Sequence, residues 1–86
     1  MKRVTVRFFA SVKESLGTEA EELELPDGVS TVAAVRAHLR SRGGAWAETL
    51  ADTRRITAAV NQDMAKASSP VQAGDELAFF PPVTGG

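Results

Sequence analysis

Between Arg3 and Ala10 the apolar residues alternate with polar ones: Val4, Val6 and Phe8 fall on one side, and Thr5, Arg7 and Phe9 on the other. Period-two alternation of this kind predicts a strand with one buried face, on which Phe9 is an apolar residue assigned to the otherwise polar side. Ser11-Val12-Lys13-Glu14 has the S-x-x-E spacing of a capping box and Gly17 suits a helix stop, so a one-turn helix is expected around Val12 to Leu16. From Glu21 to Leu25, Leu23 and Leu25 alternate with Glu22 and Glu24 to give a second strand, closed by the turn signal Pro26-Asp27-Gly28. The period then changes. Val32, Val35 and Leu39 recur at helical spacing behind a Ser30 or Thr31 cap, with Arg36, Arg40 and Arg42 toward the negative end of the dipole and Gly43-Gly44 as the stop.

Trp46 and Leu50, four apart, predict a further short helix lying over the sheet. Ile56, Ala58 and Val60 form a third strand ending at Asn61-Gln62-Asp63, and a short strand through Met64 follows. After the turn Ala73-Gly74-Asp75 comes the last strand, Glu76 to Phe80, with Leu77 and Phe79 facing one way and Ala78 and Phe80 the other. The order β-β-α-β-β-β, with one main helix to cover one face of a mixed sheet of about five strands, is that of an α+β layer fold and resembles the ubiquitin-like β-grasp. In that fold the first and last strands lie parallel and adjacent at the centre, a pairing taken from the resemblance and not from the pattern. Residues 1–80 are read as this domain and residues 81–86 as an extended tail.

Composition narrows the function classes. A chain of 86 residues, 43% of them apolar, buries only ~60 to 65% of its unfolded surface, which leaves no room for an enclosed active site beside a core. Ten basic and eleven acidic side chains nearly cancel, so the broad basic field that nucleic acid requires is missing. There is no cysteine, which removes disulfides, thiolate metal sites and a cysteine persulfide together and is compatible with a reducing compartment. No stretch approaches the ~18 apolar residues of a membrane span or the pattern of a secretion signal, and a cytoplasmic protein is expected.

The chemistry concentrates in the tail. Pro81-Pro82 ends the sheet ladder and holds an extended conformation, so the residues beyond must project. At ~3.3 to 3.6 Å per residue, Pro81 to Gly86 reaches roughly 20 Å, enough to enter another protein's active site while the domain stays outside. Gly85 and Gly86, lacking Cβ atoms, fit a slot too narrow for other residues. A carboxylate is a poor electrophile until it carries a leaving group, and the chain has no G-x-x-x-x-G-K-[ST] loop with which to activate its own. Activation therefore falls to a nucleotide-dependent partner, and a sulfur donor attacking the resulting acyl-adenylate would leave a terminal thiocarboxylate. If Val4, Val6, Phe8, Leu77 and Phe79 fill the core, alternation puts Phe9 and Phe80 on the uncovered face beside the tail, with Met64 as a third member of an apolar docking patch.

Val6-Arg7-Phe8-Phe9-Ala10, Leu16-Gly17-Thr18, Ala58-Ala59-Val60-Asn61-Gln62 and the run from Gly74 through Phe79-Phe80-Pro81-Pro82-Val83-Thr84-Gly85-Gly86 together resemble the small, sulfur-carrying subunits of molybdopterin synthase over nearly the whole chain. The resemblance implies a β-grasp protein that is not an enzyme on its own. Its Gly86 carboxylate is adenylated by an E1-like enzyme that uses ATP and is sulfurated by a donor such as a cysteine desulfurase or rhodanese system. The tail of Pro81, Pro82, Val83, Thr84 and Gly85 is inserted into the large catalytic subunit of a heterotetramer of two small and two large chains. There two carriers convert cyclic pyranopterin monophosphate to molybdopterin, with Phe9, Met64 and Phe80 as the docking patch. Met64 stands where other members carry a different apolar residue. The sulfur carrier of thiazole synthesis shares the fold and the Gly-Gly end, but is usually shorter and lacks the Phe-Phe-Pro-Pro approach. Carriers for cysteine synthesis or tRNA thiolation, archaeal modifiers and a plain ubiquitin-like interaction domain would also fit the fold.

The remaining polar residues have plainer readings. His38 has no second ligand at metal spacing, so it is read as a surface or half-buried residue and no metal or bound cofactor is expected. Glu19, Glu21, Glu22 and Glu24 form the wet face of a strand. Arg54-Arg55 and Lys66 are strand-end charges with no assigned role, and Trp46 is a core plug.

Overall fold

Parallel pairing of the first and last strands organises the chain. In the computed structural model, which describes residues 2–82, the elements run β1 (Lys2–Phe8), α1 (Ala10–Leu16), β2 (Ala20–Leu25), α2 (Val32–Arg40), α3 (Gly44–Thr49), β3 (Thr57–Val60), β4 (Asp63–Ala65) and β5 (Glu76–Phe80). The sheet order is β2-β1-β5-β3-β4, with β1 and β5 parallel and every other neighbouring pair antiparallel. Val6 stands opposite Leu77 and Phe8 opposite Phe79, so the alternation of both strands sends these four side chains to one face, where all are buried. Val32, Val35 and Leu39 of α2 and Leu50 after α3 close over them. Phe8 stacks on Phe79 with centroids 6.3 Å apart and meets Trp46 edge-on at 5.5 Å. Such aromatic contacts contribute about 0.5–1.5 kcal/mol each beyond the area they bury.

The element boundaries differ from the sequence expectation in β1, α1, α2 and β3. β1 ends at Phe8 and not at Ala10. The Phe9 N–H still donates to the Phe79 carbonyl at 3.1 Å, which holds Phe9 extended, while its own carbonyl accepts from Val12 and Lys13. Helix α1 therefore starts at Ala10, and Ser11 lies within its first turn instead of capping it. In α2 the cap is Thr31, whose hydroxyl accepts from the Ala34 N–H at 3.1 Å, and the helix stops at Arg40, two residues before Arg42.

Gly43-Gly44 does more than end α2. Gly43, at φ 77°, takes the N-cap position of α3, and its carbonyl accepts from Trp46 and Ala47. Freed from the helix, Arg42 makes two hydrogen bonds of 2.8 and 2.6 Å to the Glu21 carboxylate on β2 and lies 4.5 Å over the Trp46 ring. These bonds hold the Glu21 carboxyl below its ordinary range against the opposing effect of burial. In β3 the expected alternation through Ile56 also gives way: the strand begins at Thr57, and Ala58 and Ala59 are both buried.

The end of the sheet opposite the tail is closed by a polar latch. Asn61 and Gln62 both have positive φ, as a two-residue hairpin between β3 and β4 requires. The Asn61 amide donates to Asp75 at 3.0 Å and its oxygen accepts from the Glu76 N–H at 3.0 Å. Asp75 also accepts from the Gln72 N–H at 2.7 Å. Asn61→Ala removes both side-chain bonds and puts a less tolerant residue at φ 51°, for an expected loss of about 2 kcal/mol in urea unfolding. The Gln72 N–H, and after it the Asn61 amide, lower the Asp75 pKa. The stability this carboxylate contributes is present above its unfolded pKa and is lost as pH falls through the lower folded value. The free-energy difference between the protein and Asp75→Asn is therefore expected to stay constant above about pH 5 and to shrink below about pH 4.

Candidate functional site

The face of the sheet turned away from α2 carries the site. Register places Arg7, Ala78, Ala59 and Met64 in one row across β1, β5, β3 and β4. The next row toward the tail holds Phe80 opposite Thr57. Ala78 and Ala59 are short, so they form a low apolar floor between longer side chains, and Ala59 is only 7% exposed although no helix of the described residues lies on this side. Toward β2 the same face is polar: Arg3 bonds Glu24 at 2.9 Å, Thr5 bonds Glu22 at 2.5 Å and Arg7 lies 3.6 Å from Glu76. Exposed pairs such as these contribute less than about 1 kcal/mol each. Their effect is to confine the apolar ground to the half of the face nearest the tail.

Phe9, 42% exposed, and Met64, 70% exposed, stand out among the large apolar residues, while Phe80 is half-buried. Phe9 reaches this position from the connection after β1 and not from within the strand, held beside the end of β5 by its bond to Phe79. Phe9 and Phe80 are thus brought to the same end of adjacent strands. Met64 lies farther off on edge strand β4, two strands from β5, or roughly 10 Å across the sheet. Arg7 was not singled out in the sequence, yet its guanidinium sits 5.5 Å from the Phe9 ring centroid. The signal for it was the spacing i, i+2 on one strand face.

The tail leaves this face directly. Phe80 is the last residue of β5, Pro81 is half-buried and Pro82 exposed, and neither proline has an N–H with which to extend the ladder. Val83, Thr84, Gly85 and Gly86, to which the sequence assigns the threading and reactive roles, lie outside the described residues. Elsewhere the polar groups have structural work. The Arg36 guanidinium donates to the carbonyls of Leu50, Ala51 and Arg54 at 2.8, 2.5 and 2.9 Å, tying α2 to the segment before β3, and burial pushes its pKa down. Among the described residues there is no group of three His, Cys, Asp or Glu side chains placed to hold a metal ion, and no helix long and apolar enough to cross a membrane. The arrangement is one that binds and presents.

A five-stranded β-grasp sheet with an apolar area on its open face, and a sequence that runs from the last strand through Pro81-Pro82 to Gly85-Gly86, defines a ubiquitin-like carrier domain. The chain belongs to the ThiS family, whose model matches residues 6–86. The molybdopterin synthase sulfur carrier subunits of Haemophilus influenzae and Escherichia coli are each 45% identical to it over 83 residues, covering 96% of this chain and 99% of theirs. Among solved structures, a putative molybdopterin converting factor subunit 1 from Pyrococcus furiosus superposes with a TM-score of 0.78 at 25% identity, covering 96% of this chain and 100% of that one. A chain of the complex of subunits 1 and 2 of the molybdopterin-converting factor from Helicobacter pylori gives a TM-score of 0.63 at 26% identity, covering 98% and 99%.

The two faces of the sheet are expected to differ sharply under truncation. Phe79→Ala, on the buried face, is expected to lower the unfolding free energy by about 3–5 kcal/mol, and Met64→Ala, on the open face, to change it by less than about 0.5 kcal/mol. Chemical denaturation of the two variants checks the assignment, and a large loss at Met64 would overturn it.

Proposed function

We propose that this chain is the sulfur carrier subunit of a molybdopterin synthase, active in molybdenum cofactor biosynthesis and working with a large catalytic subunit. The observation that carries the reading is the departure of the tail from Phe80, beside Phe9, on the one apolar part of the open face. The 45% identity to two subunits of that name supports the assignment, as does the Helicobacter pylori complex in which a similar chain is joined to subunit 2. Phe9, Phe80 and Met64 dock on the partner, and Pro81-Pro82 set the direction in which Val83, Thr84, Gly85 and Gly86 enter its active site.

The chemistry takes place on the Gly86 carboxylate. An E1-like partner transfers AMP from ATP to it, releasing pyrophosphate. The terminal persulfide sulfur of a donor, a cysteine desulfurase or rhodanese system, displaces the AMP to form an acyl disulfide. A second thiol cleaves its S–S bond, leaving the thiocarboxylate on Gly86 and a disulfide on the donor side. Inside the large subunit the thiocarboxylate sulfur passes to the precursor pterin, cyclic pyranopterin monophosphate, and water supplies the oxygen that regenerates the carboxylate. Two sulfurs are needed for the dithiolene of molybdopterin, which is met by a heterotetramer of two small and two large subunits. The chain binds no cofactor or metal of its own, and the reaction belongs in the cytoplasm. Against the thiazole-pathway carrier stand the Phe-Phe-Pro-Pro approach to the tail and the names of the 45% relatives.

Intact mass after incubation with the activating enzyme, ATP and a sulfur source is expected to rise by the exchange of one oxygen for sulfur. A chain lacking Gly86 is expected to show no such rise and to support no molybdopterin formation; formation by that chain would sink the proposal. Phe80→Asp is expected to weaken binding to the large subunit by about 30-fold or more, the scale of an interface hot spot, while circular dichroism stays native.

A further inference from the structure

Most cations of this small domain are already engaged. Arg3, Arg7, Lys13, Arg40 and Arg42 each pair with a carboxylate, and Arg36 and Lys2 donate to backbone carbonyls. Among the described residues five basic side chains have no carboxylate partner; Lys2 and Arg36 are held by backbone carbonyls at normal hydrogen-bond distance, and the other three are Arg54, Arg55 and Lys66. Lys66 lines a cleft beside α2 whose wall does not include Pro81. Arg54 and Arg55 line a different cleft, of about 230 Å³, whose wall includes Pro81 and the hydroxyl residues Ser11, Ser15 and Thr49. The side-chain bond of Arg54 is a long one, 3.4 Å from Nε to the Glu48 carbonyl.

Antiparallel register explains the placement. Thr57 stands opposite Phe80, so the residues before Thr57 run alongside those after Phe80, and Ile56 shares the cleft with Pro81. Two arginines without a carboxylate partner therefore line the cleft at the root of the tail. We propose that Arg54 and Arg55 form an anion-recognising site for carboxylate side chains at the mouth of the partner slot that receives the tail. The proposal rests on the reading that the tail enters a partner, and adds the chemistry of that partner's rim.

Distance separates this occupant from a phosphate on the reacting group. An extended run from Pro82 to Gly86 carries the terminal carboxylate roughly 16–18 Å beyond Pro81, out of reach of arginines at the root. What does lie at the root, once the tail is inserted, is the protein surface around the slot. Arginine suits a carboxylate there because its planar fork bonds both oxygens at once, and Ser11 and Ser15 line the same cleft.

The test uses the full chain and the large synthase subunit, with association followed by stopped flow at about 20 mM and about 0.5 M salt. The double variant Arg54→Glu/Arg55→Glu is expected to associate at least tenfold more slowly than the unaltered protein at low salt and within about twofold of it at high salt, as for steering charges on a rim. Arg54→Gln/Arg55→Gln is expected to fall between them, and guards against effects of reversed charge on the fold. Phe80→Asp serves as the separate check on tail docking and is expected to weaken the complex at both salts. Unaltered association of the double variant at low salt, with Phe80→Asp still weak, overturns the arginine site alone. Normal binding by both variants overturns the docking reading as well. Inorganic phosphate at millimolar concentration perturbing the Arg55 side-chain NMR signals, with partner association unchanged in the double variant, assigns the cleft to phosphate and equally overturns the proposal.

Discussion

The parallel ladder between β1 and β5 is the constraint from which the rest of the molecule follows. Parallel neighbours cannot be joined by a tight turn, so the intervening chain from Phe9 to Asp75 has to leave the sheet, cross one face as α2 and return as the β3–β4 hairpin. The pairing of Phe8 with Phe79 then decides which face is core. One residue of slip would send Phe79 to the open face and Phe80 into the core. Such a slip also moves the origin of the tail by one residue and rotates its root to the other side of the sheet. Core register and tail aim are one variable in this fold.

A domain this small has little apolar surface with which to stabilise itself, and two arginines extend the core where helices are short. Arg36 reaches three carbonyls in the segment joining α3 to β3, satisfying backbone groups that no regular element covers. Arg42 bridges Glu21 on β2 and the face of Trp46, so the ring that closes over Phe8 is held from its outer side. Among the described residues no buried side-chain nitrogen or oxygen lacks a partner. Arg54 and Arg55, exposed and without a carboxylate partner, fall where the tail begins.

Much of this was legible from alternation and spacing. Val4, Val6, Phe8, Leu23, Leu25, Val32, Val35, Leu39, Leu77 and Phe79 read as core in the sequence and are buried. The last strand, Glu76 to Phe80, was also readable to the residue, and the cap of α2 to one of two residues, Ser30 or Thr31, of which the structure uses Thr31. Local signals failed where a long-range bond competed with them. The Ser11 capping box lost to the Phe9–Phe79 hydrogen bond, and Arg42 lost its place in α2 to Glu21. Ala59, buried on the open face, was illegible because alternation assigns it to the side opposite the core and says nothing of how its neighbours cover it. The apolar identity of Phe9, Phe80 and Met64 was visible; that Phe9 and Phe80 stand together while Met64 lies two strands away follows only from strand order.

On the proposed reading, strand order also accounts for how one small domain would hold a partner and present a reactive group. The apolar floor of Ala59 and Ala78 runs across β3 and β5, while the arginine cleft lies past the end of β3, on the line that Pro81 takes as it leaves β5. Contact at the floor is short-ranged and fixes distance. Charge at the cleft acts over about a Debye length and favours one rotation of the docked domain over the rest. Two contacts of different range, one on each side of the tail's origin, define its direction better than either alone. The diproline root sets the direction in which the chain leaves β5, since an extended Pro-Pro segment loses little orientation over its own length.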